Sequence, residues 1–273
     1  MTDFSGAPAP DELLTIAVRI AREAAGTARR MRDEAITDVQ TKSTDTDVVT
    51  AADRAVERQV VETLRRERPG DAVLGEEYGD SAAGVQGAVR WILDPIDGTV
   101  NYLYGLPQYA VSLAAEVDGV VVAGVVRNPA TGEEWTATRG GGAWRAGRRL
   151  TGSSQGTLDQ ALVATGFGYD PDRRAHQGAV LAGLITRVRD IRRFGSAAID
   201  LCMAAEGMMD AYYEKGLNPW DHAAGGLVAT EAGLRVSGLD GDPAGSKMLV
   251  AAPPALFAQL HDLLVELDAA GGP

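Results

Sequence analysis

Residues 91–102, WILDPIDGTVNY, open on an apolar run that reads as a buried strand and stops at Asp94, giving way to a second carboxylate, Asp97, and then to Gly98 and Thr99. A core strand that ends in acids narrows the folds open to the chain, because carboxylates need partners or solvent and cannot stay in an apolar layer. Strand ends in open α/β sheets, where functional sites gather, meet that need. A Gly-Thr turn that opens a short helix also leaves backbone N–H groups free beside the acids, an arrangement suited to a phosphate held near a cation. Taken alone, DPIDGT is equally a plain turn, since Pro, Asp and Gly are all turn formers.

The rest of the pattern is mixed α/β. Residues 11–33 place Leu13, Leu14, Ala17, Ile20 and Ala24 on one helical face, with arginines on the solvated back. A second helix is predicted from Thr50, where Thr50 and Asp53 match the capping pattern [ST]-x-x-[DE], to a stop at Pro69-Gly70. Strands follow at DAVLGEE, AVRWILD, YAVSLAAEV and VVVAGVV, the last two joined by the hairpin dipeptide Asp118-Gly119. Short strands around Trp135 and Trp144 flank the glycines at 140–142. Beyond Leu150 strands and helices alternate: ALVATGF, a helix over about 172–188, DIRRFG, a helix from Ser196, DAYYEKG, a helix from Trp220, KMLVAAP and a final helix. Two packed α/β subdomains are expected, 1–150 and 151–273.

Charge and cysteine content narrow the function. The 273 residues carry 26 basic and 38 acidic side chains, a net charge of -12, which disfavours nucleic acid and anionic membrane surfaces as direct partners. Cys202 is the only cysteine and lies in the apolar stretch LCMAA, so no internal disulfide forms and a core role outweighs a nucleophilic one. No run is long and apolar enough for a membrane span, and MTDFSGAPAP lacks a signal-peptide pattern, so a cytoplasmic setting is expected.

Three acidic clusters each follow a strand: Gly75-Glu76-Glu77, Asp94 with Asp97, and Asp221 in NPWD. Singly, the first is a solvated loop and Asp221 a dipole-favoured residue at a helix start. Together, carboxylates without cations would repel and raise one another's pKa values, so the set implies a bound divalent metal. A covalent rival uses the aspartate nucleophile of D-x-D-G-T, as in the haloacid-dehalogenase phosphatases. Here Pro95 stands two before Asp97 and the first acid lies three before it, which breaks that scheme.

The chain resembles the inositol monophosphatase family over nearly its whole length. The resemblance rests on DVVTAAD at 47–53, Gly75-Glu76-Glu77, DPIDGTVN at 94–101 and WDHAAG at 220–225. It departs mildly at Tyr102, where the family commonly has Phe, and at Asn218-Pro219. The resemblance implies a layered α-β-α-β-α sandwich of the sugar-phosphatase type, a homodimer, and two to three Mg2+ with Li+ as inhibitor. It implies that Glu76, Asp94 and the main-chain oxygen of Ile96 hold the first magnesium, that Asp94, Asp97 and Asp221 hold the second, and that Glu76 helps a weaker third. Thr99, hydrogen-bonded to Asp53, would orient and help deprotonate a water on the first metal, with Gly98 and Thr99 offering N–H groups to the phosphate. Gly195, Ser196, Ala197 and Glu214 would face the alcohol part of the substrate, and Lys42 matches a loop lysine that approaches the metals.

The implied activity is Mg-dependent hydrolysis of a small polyol phosphate, first of all myo-inositol 1-phosphate, without a covalent intermediate. Two cations sharing Asp94 would serve attacking and leaving oxygens together. Histidinol phosphate, fructose 1,6-bisphosphate and 3'-phosphoadenosine 5'-phosphate are alternatives, because the alcohol pocket is not readable from the sequence. A different class is an accessory protein of the transcription machinery, which some members of the family are. Elsewhere His176, His222 and His261 show no ligand spacing, Asp221 and His222 lie on different helix faces, the run RVRDIRR at 187–193 reads as solvated or interfacial, and Tyr212-Tyr213 as strand packing.

Overall fold

The structure is a computed structural model that describes residues 8–38, 45–81 and 88–273. Helix α1 (Pro10–Asp38) buries Leu13, Ala17, Ile20, Ala24 and Ala28 in one stripe at spacings of three and four, the period of a single helical face. Helix α2 (Asp45–Glu67) buries Ala52, Val56, Val60 and Leu64 in the same way. The two pack side by side as an outer layer.

Under them lies a sheet formed by β1 (Ala72–Gly75), β2 (Gly79–Ser81), β3 (Val89–Asp97), β4 (Ala110–Val117), β5 (Val120–Arg127), β6 (Glu134–Thr138), β7 (Gly142–Arg145) and β8 (Arg148–Arg149), in the order β2-β1-β3-β4-β5-β6-β7-β8. The short α3 (Thr99–Tyr104) follows β3 directly. A second sheet is built from β9 (Leu162–Thr165), β10 (Asp190–Arg192), β11 (Ala211–Glu214), β12 (Arg235–Ser237) and β13 (Leu249–Ala252), in the order β10-β9-β11-β13-β12. Between the sheets sit α5 (Ala197–Glu206) and α6 (Pro219–Glu231), with α6 on β3, β4 and β5 and α5 against β11 and β13. Helices α4 (Pro171–Leu184) and α7 (Pro254–Glu266) cover the far side.

Strand alternation produces these layers. On β3, Trp91 and Leu93 join the core under α1 and α2, while Ile92 joins the core around α5 and α6. On β11, Tyr212 points to the middle layer and Ala211 and Tyr213 to the outer one; on β13, Leu249 and Ala251 oppose Val250 and Ala252. Strand β3 is covered on both faces, which is why Trp91, Ile92 and Leu93 are apolar in succession. The result is the expected α-β-α-β-α sandwich. Strands of the first sheet end at Arg149 and those of the second begin at Leu162, yet α6 from the second half packs on the first sheet.

Several expectations shift. The second helix begins at Asp45, not Thr50, so Thr50 and Asp53 lie inside it rather than capping it; a four-residue capping pattern also occurs within helices, and here Asp53 is buried, not turned back on a helix end. Helix α4 ends at Leu184, ahead of the expected 188, and strands β2 and β12 were too short for a periodic signal. The β4–β5 hairpin turns at Asp118 and Gly119, both at positive φ (49° and 78°), as a two-residue primed turn requires. Lys42 lies outside the described residues.

Candidate active site at the strand ends

Parallel pairing brings the first acids together. Strand β1 runs parallel to β3 with Gly75 opposite Leu93, so Glu76, the first residue after β1, comes out beside Asp94, the next residue of β3. Strand β3 holds its register with β4 as far as Asp94↔Ser112, then breaks and resumes at Asp97↔Ala110. Pro95 has no N–H for the ladder, and the Ile96 N–H donates to Asp94 Oδ1 at 3.0 Å instead. Gly98 follows at φ 95°, where a Cβ would stand 2.8 Å from the Gln108 carbonyl oxygen and 3.1 Å from that of Gly195. Only glycine fits this kink.

The middle-layer helices fix the other acids. Asp97 Oδ2 accepts from Ser196 Oγ at 2.6 Å and from the Ala198 N–H at 2.7 Å, which seats its carboxyl at the start of α5, where the helix dipole favours negative charge. Asp221 occupies the third position of α6, and its Oδ2 accepts from the Asn218 N–H at 2.6 Å in a capping box. From β11, Glu214 accepts a hydrogen bond from the Tyr212 hydroxyl, with Gly166 leaving room beside the carboxyl.

These elements enclose a cleft of about 390 Å³. Of the residues expected at the site, Glu76, Asp94, Ile96, Asp97, Gly98, Thr99, Gly195, Ala197, Glu214 and Asp221 line it. Two do not. Ser196 is fully buried and acts on Asp97. Asp53 is 5% exposed, and its Oδ1 has no hydrogen-bond partner. The expected Thr99–Asp53 hydrogen bond is not made: Thr99 Oγ1 donates to the Ile96 carbonyl at 3.4 Å, an acceptor held close by the tight turn into α3.

The electrostatics of the cluster are those of crowded acids. Burial raises Asp94 well above the carboxylate range, and the charges of Asp97, Glu76, Asp221 and Asp53 push the same way. Asp53 is raised to about 8 by burial and by Glu76, Glu77 and Glu57. Asp221 is raised to about 8, chiefly by burial and then by Asp97. Glu76, open to solvent at the cleft mouth, is raised to about 7 by its enclosed side and by Asp97. Burial takes Asp97 up to only about 6, because its bonds to Ser196 and Ala198 pull it down.

This donor set fits hard divalent cations. It offers oxygens only, includes the buried unpaired Asp53 oxygen close by, and carries negative charge that protons or cations must offset. Among the described residues no three acids close around one point, so the fit rests on donor chemistry and charge.

Cations on the cleft wall were missed in the sequence. Arg193, Arg173 and Lys215 line it, as do Phe167 and Tyr169. The 187–193 run is therefore split: Arg187 pairs with Glu266 at 3.5 Å and Arg192 with Asp190 at 2.6 Å on the surface, whereas Arg193 faces the cleft and lowers the pKa values of Asp97 and Glu214. Its one sequence signal was its place two residues before Gly195. His222 lines a separate groove behind α6, and buried Cys202 has a thiol raised well above its ordinary pKa, so neither enters the site.

Comparison with known proteins gives consistent matches. The model of the inositol monophosphatase family matches residues 9–269. An inositol-1-monophosphatase of Mycobacterium leprae (strain TN) is 45% identical over 265 residues, 90% of this chain and 91% of that one. A protein of Escherichia coli (strain K12) called Nus factor SuhB is 39% identical over 230 residues, 84% of this chain and 86% of its own. Among solved structures, Mycobacterium tuberculosis SuhB has a TM-score of 0.82 at 40% identity, covering 96% of this chain and 99% of that one.

Proposed function

The chain belongs to the inositol monophosphatase family and is a phosphoric monoester hydrolase, and from that premise we propose that it uses Mg2+ to release phosphate from a small polyol phosphate, myo-inositol 1-phosphate before others. The observation that carries this reading is the convergence of Glu76, Asp94, Asp97 and Asp221 on one cleft from three separate elements.

Glu76, Asp94 and the Ile96 carbonyl would hold one cation, Asp94, Asp97 and Asp221 a second, and Glu76 a weaker third. Bound there, the cations would offset the charge of the phosphate and act as Lewis acids toward the attacking and leaving oxygens. The N–H groups of Gly98 and Thr99 would orient the phosphate, and Glu214, Gly195 and Ala197 the alcohol. Without cations Asp53 is raised to about 8 and holds its proton at neutral pH; cations offsetting the charge of neighbouring Glu76 would lower that value, ionise Asp53 and let it accept a proton, with Thr99 turning from Ile96 to link it to the attacking water. Water then adds to phosphorus, the ester P–O bond breaks, and the alcohol oxygen leaves with a proton. Arg193 supports the same reading by favouring an anion in the cleft. Inhibition by Li+, a homodimer, a cytoplasmic setting and two packed subdomains over 1–150 and 151–273 belong to this proposal.

The substrate test is phosphate release from a panel at fixed Mg2+. Inositol 1-phosphate should show the highest kcat/KM against histidinol phosphate, fructose 1,6-bisphosphate and 3'-phosphoadenosine 5'-phosphate. A higher value for histidinol phosphate would refute the first choice. The likeness to a protein called Nus factor SuhB favours a second reading, an accessory role in transcription. Asp94→Asn separates the two: biological function that survives loss of phosphatase activity supports the binding role.

A further inference from the structure

One helical turn after Asp53, α2 brings a second carboxylate to the back of the site. Glu57 is 1% exposed. Its Oε2 accepts the Glu77 N–H at 2.9 Å and its Oε1 the Tyr78 N–H at 3.0 Å. These are successive amides of the three-residue turn that starts with Glu76 and is closed by the Gly75↔Gly79 pair of β1 and β2. Gly75 leaves room for this contact, since a methyl group at that position would run into the Glu57 carboxyl. Arg54 adds an ion pair from the same helix to Glu77 at 3.2 Å.

A carboxylate has two acceptor oxygens and no donor, which matches two converging N–H groups; an amide would set an NH2 against one of them. We propose that Glu57 is a positioning residue, which clamps the Glu76–Tyr78 turn to α2 and thereby sets where the Glu76 carboxylate stands at the cation site. Because Asp53 lies on the same helix, the clamp also fixes Glu76 relative to Asp53. The inference rests on the reading that Glu76 holds a cation.

The test is calorimetric titration of Mg2+ alone into the full-length wild type, Glu57→Gln, Gly75→Ala and the double variant, with amide exchange followed at Glu77 and Tyr78. Each single change should weaken Mg2+ binding about tenfold, the scale of lost support to a metal ligand. Both amides should exchange faster, and the double variant should bind no worse than the weaker single one, because both changes break one contact. In steady state the half-saturating Mg2+ concentration should rise by the same factor, with the effect concentrated there. If the wild type binds no Mg2+, the cation reading itself fails. If the wild type binds and Glu57→Gln binds equally well with its amides freed, or loses stability with Mg2+ affinity intact, the positioning role is overturned. Should Glu57→Gln not fold, Gly75→Ala carries the same comparison.

Discussion

Replacing Asp53 by asparagine should stabilise the metal-free protein, and by more as the pH rises. Burial, then the charges of Glu76, Glu77 and Glu57, raise the Asp53 pKa to about 8, whereas an unfolded aspartate titrates near 4. Between those values the folded chain holds a proton that the unfolded chain has released, so stability falls as pH rises through the window and levels off above about 8. From about pH 5.5 to the folded pKa is about 2.5 pH units, and at about 1.4 kcal/mol per unit Asp53 alone costs the metal-free fold roughly 3 kcal/mol over that span. The asparagine amide does not titrate, so the substitution removes that slope, and it also relieves Glu76 and Asp94 of one neighbouring charge.

The assay is urea unfolding in EDTA at about pH 5.5 and about pH 8.5, with wild type and Asp53→Asn compared at equal m-value. The stability gap should widen by roughly 3 kcal/mol in favour of the variant at the higher pH. Half-buried His222, whose pKa is lowered, works in the opposite direction below its unfolded value but is common to both proteins and cancels. A gap that stays constant with pH would refute the claim that Asp53 is held protonated by its surroundings.

Asp221→Asn should collapse turnover and raise the Mg2+ requirement while the fold persists, since an amide oxygen can still accept the Asn218 N–H that Asp221 now caps; activity unchanged at low Mg2+ in a titrated assay would rule out a ligand role. Ser196→Ala removes the 2.6 Å bond to Asp97, so it should cost about 1.5–3 kcal/mol in unfolding experiments, the range for hydrogen bonds to charged groups, and weaken Mg2+ binding. Gly98→Ala forces a side chain at φ 95° within 2.8 Å of the Gln108 carbonyl, so melting should show a loss of at least about 2 kcal/mol with phosphatase activity largely gone. Beryllofluoride should leave no phospho-aspartate-like adduct detectable in the protein; stable trapping on an aspartate of the site would revive the covalent scheme.

The acids of the site were legible from the sequence and its cations were not, and the difference has a physical cause. A carboxylate beside an apolar strand stands out because it is costly there unless something offsets it, so Asp94 and Asp97 announce a site where VRWIL stops. Arg173, Arg193 and Lys215 cost nothing on a surface, and each sits in a segment that reads as ordinary solvated chain. What brings them in is topology: β10, β9 and β11 run parallel, so the segments after their carboxyl ends all open on the cleft. Glu76 and Asp94, eighteen residues apart, meet for the same reason, through the β1–β3 register. Glu57 falls between the two cases. Its place four residues after Asp53 put it on the same helix face, but its partners are amides of a turn twenty residues away, and a backbone N–H leaves no mark on the sequence. The one trace was Gly75, a glycine ending a buried strand just before an acid, whose missing side chain the carboxyl of Glu57 requires. Gly98, beside Asp97, is the parallel case: in both places glycine marks where a backbone must come close to something, and at a strand end next to an acid that something is part of the site.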